Sequence, residues 1–175
     1  YYLHNFLTEQ PDLNYHHPGV RERALAIAKY WLDRGVTGFR FDAVNFYFHD
    51  PEFRSNPASE LKNTKVVAPD NPYGRQEHIY DKNRPEVAKF LQEMGALLSQ
   101  YPNSLGLGEL GAEPHRASEL IKEYLAPGHL DLCYDFGLLG HEFSAAHFRK
   151  MIEDDLSSET SIWRCLAFSN HDVIR

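Results

Sequence analysis

The sequence predicts an α/β fold, a partial (β/α)8 TIM barrel carrying four strands with their helices. Three observations lead there. After an opening helix, strand-like and helix-like patterns alternate to the end of the 175 residues, and such alternation means parallel strands joined by helical crossovers. The strands end in polar groups at Asp42, Glu109, Asp135 and Asp172, where barrel strands and their following loops build a site. No Gly-x-Gly-x-x-Gly follows a strand, since the glycines of Gly106-Leu107-Gly108 lie inside one and precede a carboxylate instead, so the main sign of a doubly wound nucleotide-binding sheet is missing.

Taken in order, residues 1–17 form a polar, aromatic loop leading into the barrel. Its paired His16-His17 invites a metal reading, but neighbouring residues rarely converge on one ion. Pro18 suits a first helical turn, and Val20, Ala24, Ile27, Ala28 and Trp31 give a helix to about Arg34 its apolar face. Gly35 ends it. A strand follows over Gly38–Val44, with Arg40 and Asp42 on one face and Phe39, Phe41 and Ala43 on the other.

Residues 45–84 then lack periodicity and hold several prolines. An irregular stretch of about 40 residues is usually functional or disordered, and its many aromatic residues argue against disorder. It reads as a cover over a site. Pro85 opens a helix to about Gln100 that buries Val87, Phe90, Leu91, Met94, Leu97 and Leu98. The apolar run 104–110 is a strand covered on both faces. A helix over 115–126, a strand over 130–136, a helix over 141–156 and a strand over 163–169 complete the order.

The whole chain reads as part of one barrel, since a complete one needs about 250 residues and roughly half is present. It begins without methionine and stops directly after Ser-Asn-His-Asp, which reads as a piece of a longer protein. A net charge of −7 argues against nucleic acid or an anionic membrane as partner. No apolar run approaches the roughly 18–20 residues of a membrane span. Cys133 and Cys165 match no zinc or disulfide pattern and read as ordinary thiols.

The strand ends carry the chemistry. Asp42, Glu109 and Asp172 meeting without a metal are costly unless one is kept protonated. Cleavage of a glycosidic bond needs that division between an ionised nucleophile and a protonated acid. Arg40, two residues from Asp42, suits the ionised role. Glu109, between Leu107 and Leu110 and after Gly106 and Gly108, has the more apolar setting and suits the acid. His171 and Asp172 would grip sugar hydroxyls. Metal-assisted hydrolysis and plain ion pairing are the competing readings of the same set.

Several blocks, in order, resemble the α-amylase family, glycoside hydrolase family 13. They are Gly38-Phe39-Arg40-Phe41-Asp42-Ala43-Val44-Asn45, Gly108-Glu109 and Phe168-Ser169-Asn170-His171-Asp172. Gln10-Pro11-Asp12-Leu13-Asn14, Asn71-Pro72-Tyr73-Gly74 and His78-Ile79-Tyr80-Asp81-Lys82 are similar to its oligo-1,6-glucosidase and α-glucosidase branch. The resemblance implies about strands 4 to 7 of the barrel. It also implies Asp42 as nucleophile, Glu109 as general acid/base and Asp172 as stabiliser of the transition state. Arg40 would hold Asp42, and His171 would bind the reacting glucose. Ala43, beside the nucleophile, leans towards α-1,4 linkages. Phe136, Phe46 and Tyr47 are candidates to stack on sugar faces, although aromatic residues after barrel strands are core as often as platform.

The implied reaction is retaining hydrolysis of maltose-type oligosaccharides or sucrose through a glucosyl–Asp42 ester. No cofactor is required, and the family leaves room for a structural calcium or magnesium ion in parts not present here. Cytoplasmic residence is expected from the branch. The family's block on the third strand is absent, so the 175 residues alone are expected to aggregate or stay inactive. An α-glucosyl transferase or isomerase is the nearest alternative, followed by the inactive heavy chains of amino-acid transporters.

Overall fold

The computed structural model describes residues 1–59, 71–112, 114–139, 142–156 and 165–172. Helix α1 spans Pro18–Leu32, strand β1 Gly38–Phe41, helix α2 Glu86–Leu98 and strand β2 Leu105–Leu110. Helix α3 (Pro114–Tyr124), strand β3 (Leu132–Asp135) and helix α4 (Ala145–Leu156) follow. The strands form one sheet in the order β1–β2–β3, and both pairings are parallel. Neighbouring parallel strands joined through helices are the repeating unit of the expected barrel.

The sheet has two chemically distinct faces. Arg40 pairs with Leu107, and Glu109 with Tyr134. Side chains alternate along each strand, so Arg40, Glu109 and Tyr134 share one face. Phe41 and Cys133 lie on the other and are buried with Val87, Phe90, Leu91, Leu98, Leu120 and Ile121. Glycine makes this packing close. A Cβ on Gly106 would stand 2.9 Å from both Leu98 and Leu130. One on Gly95 of α2 would meet the Gly128 carbonyl at 2.1 Å, so only glycine lets that helix lie against the turn before β3.

Helix α1 begins as its sequence suggests, with Pro18 in the first turn and His17 Nδ1 accepting the Gly19 N–H at 3.1 Å. Its inward face is shifted from the expected one. Ala28 and Leu32 are buried, and Ala24 and Leu25 pack beside them. Ile27 and Trp31 remain about half exposed, at 53% and 48%. Among the described helices α1 packs chiefly on α2, and Ile27 and Trp31 lie off that contact. A barrel helix has flanks as well as an inner face, and periodicity does not say which is covered.

Two expected strands end differently. Strand β1 stops at Phe41 rather than Val44, because Ala43 adopts a left-handed conformation (φ 42°, ψ 46°) and a 3-10 turn follows over Val44–Phe46. That turn tucks Val44 and Asn45 into full burial. Ala43 therefore does not share a face with Phe39 and Phe41. Of the strand expected over 163–169, residues 163 and 164 lie outside the described residues, and 165–169 are not a strand. Cys165 still donates its N–H to the Cys133 carbonyl at 3.0 Å, which sets this segment along the outer edge of β3. With no further strand beside it among the described residues, no ladder grows there.

The long segment after β1 is ordered by polar contacts over its described parts, 45–59 and 71–84. Asn45 Nδ2 donates to Asn83 Oδ1 at 2.7 Å and to the Gly111 carbonyl at 3.2 Å. Its Oδ1 accepts the Gly111 N–H at 3.2 Å. Buried Asp50 is gripped by Arg54 at 2.5 and 2.9 Å, with Arg84 at 3.8 Å. His78 lies between the Tyr73 carbonyl at 2.8 Å and Asp81 at 2.7 Å, stacked on the Tyr73 ring. Residues 60–70 of the expected cover lie outside the described residues.

Candidate active site

Arg40 is the hub of the site. One guanidinium nitrogen pairs with Asp42, and the other donates to Glu109 Oε1 at 2.5 Å and to the Tyr134 hydroxyl at 3.1 Å. The parallel register makes this possible, since it lines β1, β2 and β3 up with their carboxyl ends together. Burial alone would lower the Arg40 pKa. The Tyr134 hydroxyl, the Glu109 charge and the Asp42 bond outweigh it, so the guanidinium is held above its ordinary value. It is a permanent cation between two carboxyl groups.

The two carboxylates differ in exposure. The Asp42 side chain is 75% exposed on the open side of the sheet, whereas that of Glu109 is 5% exposed. The expected apolar setting of Glu109 is not what the structure contains. Its Oε1 accepts from Arg40 and from the Tyr134 hydroxyl at 2.8 Å, and its Oε2 accepts the Ala43 N–H at 2.9 Å. Leu107 and Leu110 are sequence neighbours, but the cross-strand partners are polar. Sequence proximity misjudged a site made by strand pairing.

No sequence signal marks Tyr134, yet its hydroxyl lies between Arg40 and Glu109. Asp135 is the polar end of the strand, yet its carboxylate accepts the Gly137 N–H at 2.7 Å. Alternation within 130–136 places Tyr134 opposite to Asp135, and only the register with β2 shows that Glu109 is its partner. Burial raises the Tyr134 pKa, and its bond to Glu109 adds to this while Arg40 opposes it. Its hydroxyl is therefore a donor rather than a phenolate near neutral pH.

The other expected residues fall into two groups. Phe136 and Phe46 flank Gly111 just beyond β2, each with a ring carbon 3.5 Å from where a Cβ would sit. Tyr47 instead stacks on Tyr15 at 4.9 Å and meets Phe90 edge-on, so its ring serves the core. Buried Lys82 lies 5.4 Å from the Phe46 ring and donates to the Gly111 carbonyl at 3.3 Å. His171 and Asp172 form an exposed turn, 3.5 Å from one another. Among the described residues they make no hydrogen bond or ion pair with Arg40, Asp42 or Glu109. His16 and His17 diverge, with His16 Nε2 donating to the His49 carbonyl at 2.7 Å.

The geometry can be set beside known proteins. A family model described as alpha amylase, catalytic domain, matches residues 1–175. The chain belongs to that family. Within the α-amylase family it is 46% identical to a "probable alpha-glucosidase" of Rhizobium meliloti (strain 1021), over all of this chain and 32% of that protein. It is 33% identical to an oligo-1,6-glucosidase of Parageobacillus thermoglucosidasius, over all of this chain and 31% of that one. Among solved structures, an alpha-glucosyl transfer enzyme superposes with a TM-score of 0.90 at 43% identity, over all of this chain and 33% of its own. The chain thus spans about a third of the length of the relatives it matches, and its fold is a partial barrel of the α-amylase type. Among the described residues, no helix is long and apolar enough to cross a membrane.

Proposed function

We propose that the chain carries catalytic residues of a retaining α-glucosidase acting on terminal α-glucosidic bonds of maltose-type oligosaccharides or sucrose. The observation that supports it is the Arg40 bridge between Asp42 and Glu109. Asp42 is the exposed carboxylate, free to attack the anomeric carbon. Glu109 gives its proton to the leaving oxygen as the glycosidic bond breaks, and a glucosyl–Asp42 ester forms. That ester removes the Asp42 charge. Of the two carboxyl groups Arg40 then answers to Glu109 alone, the arrangement that suits a base taking the proton of water as water opens the ester. Asp172 and His171 hold the reacting sugar, and no cofactor enters the steps.

The structural likeness to an alpha-glucosyl transfer enzyme favours a second reading, in which a sugar hydroxyl replaces water in the last step. One experiment separates them. Glucose release from maltose and isomaltose is measured with the full-length protein and with Asp42→Asn. Hydrolysis requires that the unaltered protein free both sugars of each disaccharide as glucose, with a loss of several powers of ten in the variant. Lengthened sugars with a single glucose released per maltose consumed, or rearranged disaccharide without net glucose, point to transfer. A folded protein without action on any α-glucoside would overturn both and favour a binding module.

A further inference from the structure

The carboxylate of Glu109 has a countable set of acceptor positions. Each oxygen offers two lone pairs. Oε1 receives Arg40 Nη2 at 2.5 Å and the Tyr134 hydroxyl at 2.8 Å. Among the described residues, Oε2 receives only the Ala43 N–H, at 2.9 Å. Tyr134 has a single hydroxyl proton, and because its oxygen accepts from Arg40 at 3.1 Å, that proton is directed to Glu109. The lone pairs of Oε1 are thus occupied, and Oε2 keeps one.

We infer that Tyr134 is a positioning residue which, with Arg40, saturates Glu109 Oε1 and so assigns the transferable proton to Oε2. The inference rests on the acid/base reading of Glu109. A proton on Oε1 would displace the Arg40 or Tyr134 donor, whereas one on Oε2 displaces nothing. The Ala43 amide fixes the rotation of the carboxyl from the other side. Glu109 is almost fully enclosed, and the donors on Oε1 together with the Ala43 amide fix where its remaining lone pair points.

The test uses the full-length protein and the variants Tyr134→Phe and Glu109→Gln. Tyr134→Phe keeps the ring in its place and removes the donor alone. The substrates are maltose, whose leaving sugar needs a proton, and 2,4-dinitrophenyl α-glucoside, whose leaving group does not. Loss of one hydrogen bond to a charged group should lower kcat on maltose about tenfold to a hundredfold. The glycosylation step on the activated glucoside should change by less than about threefold. The alkaline limb of kcat/KM on maltose should also move to higher pH, because a donor that favours the ionised carboxylate is gone.

Equal losses on both substrates with an unmoved pH profile would overturn the assignment in favour of a structural role. Failure of Tyr134→Phe to fold would do the same, as would no change in any parameter. If Glu109→Gln kept full activity on maltose, the acid/base reading itself would fall. The two failures are therefore distinguishable.

Discussion

The Ala43 N–H donates to Glu109 Oε2 at 2.9 Å, joining the turn after β1 to the end of β2 across 66 positions of sequence. The bond exists because Ala43 is left-handed and its amide points across the sheet rather than along β1. A strand continued to Val44 would have spent that amide elsewhere. The turn thus serves the acid directly, and it carries the residue beside the nucleophile as well.

Replacing Ala43 by valine should therefore act twice. A β-branched residue in left-handed backbone costs about 1–2 kcal/mol, so Ala43→Val in the full-length protein should melt at a lower temperature, and Ala43→Gly should not. The larger side chain should also raise isomaltose turnover relative to maltose. An unchanged ratio of the two substrates would discard the linkage reading of this position.

Arg40 bridges three groups with one planar fork, and a lysine cannot reproduce that. Arg40→Lys should lower kcat on maltose by about a hundredfold or more while KM moves only a few-fold. Steady-state kinetics on the folded variant decide it. A variant within about threefold of the original kcat would remove Arg40 from the mechanism.

Asn45 is fully buried and holds both Asn83 and Gly111. Asn45→Ala leaves the Gly111 amide and the Asn83 carbonyl oxygen without that partner, at a cost of about 2–4 kcal/mol. Denaturant unfolding of the full-length protein should show this loss. A change under about 0.5 kcal/mol would mean that water replaces the side chain.

Asp50 supplies an acid-sensitive tie. The Arg54 hydrogen bonds hold its carboxyl well below the ordinary value of 3.8. A carboxyl lowered in the folded state stabilises fully above its unfolded pKa, and the contribution fades as pH falls through the folded one. The stability advantage of the original protein over Asp50→Asn should be level above about pH 5 and shrink steadily below about pH 4. Thermal melts across that range test it, and an advantage that grows on acidification would contradict the ion-pair account.

Much of this protein was legible in the sequence. The alternation of helix and strand comes from apolar periods of two kinds, and periodicity is a local property. The carboxylates at 42 and 109 stand where strands end, so their place on one rim followed from topology. Motif blocks in the right order pointed to the family. These signals need no knowledge of which strand pairs with which residue.

What the sequence by itself determined is thus the barrel plan, the family and the identity of the charged groups. Only the tertiary structure decided their surroundings. The registers of β1 and β3 on β2, with the turn at Ala43, brought Arg40, the Ala43 amide and Tyr134 to Glu109 and replaced an expected apolar setting with three donors. Burial of Val44 and Asn45 bent the chain at Ala43, and packing on α2 chose the inner face of α1. Each is a contact between residues far apart in the chain. Such contacts set hydrogen bonding and exposure, and with them the chemistry a side chain can perform.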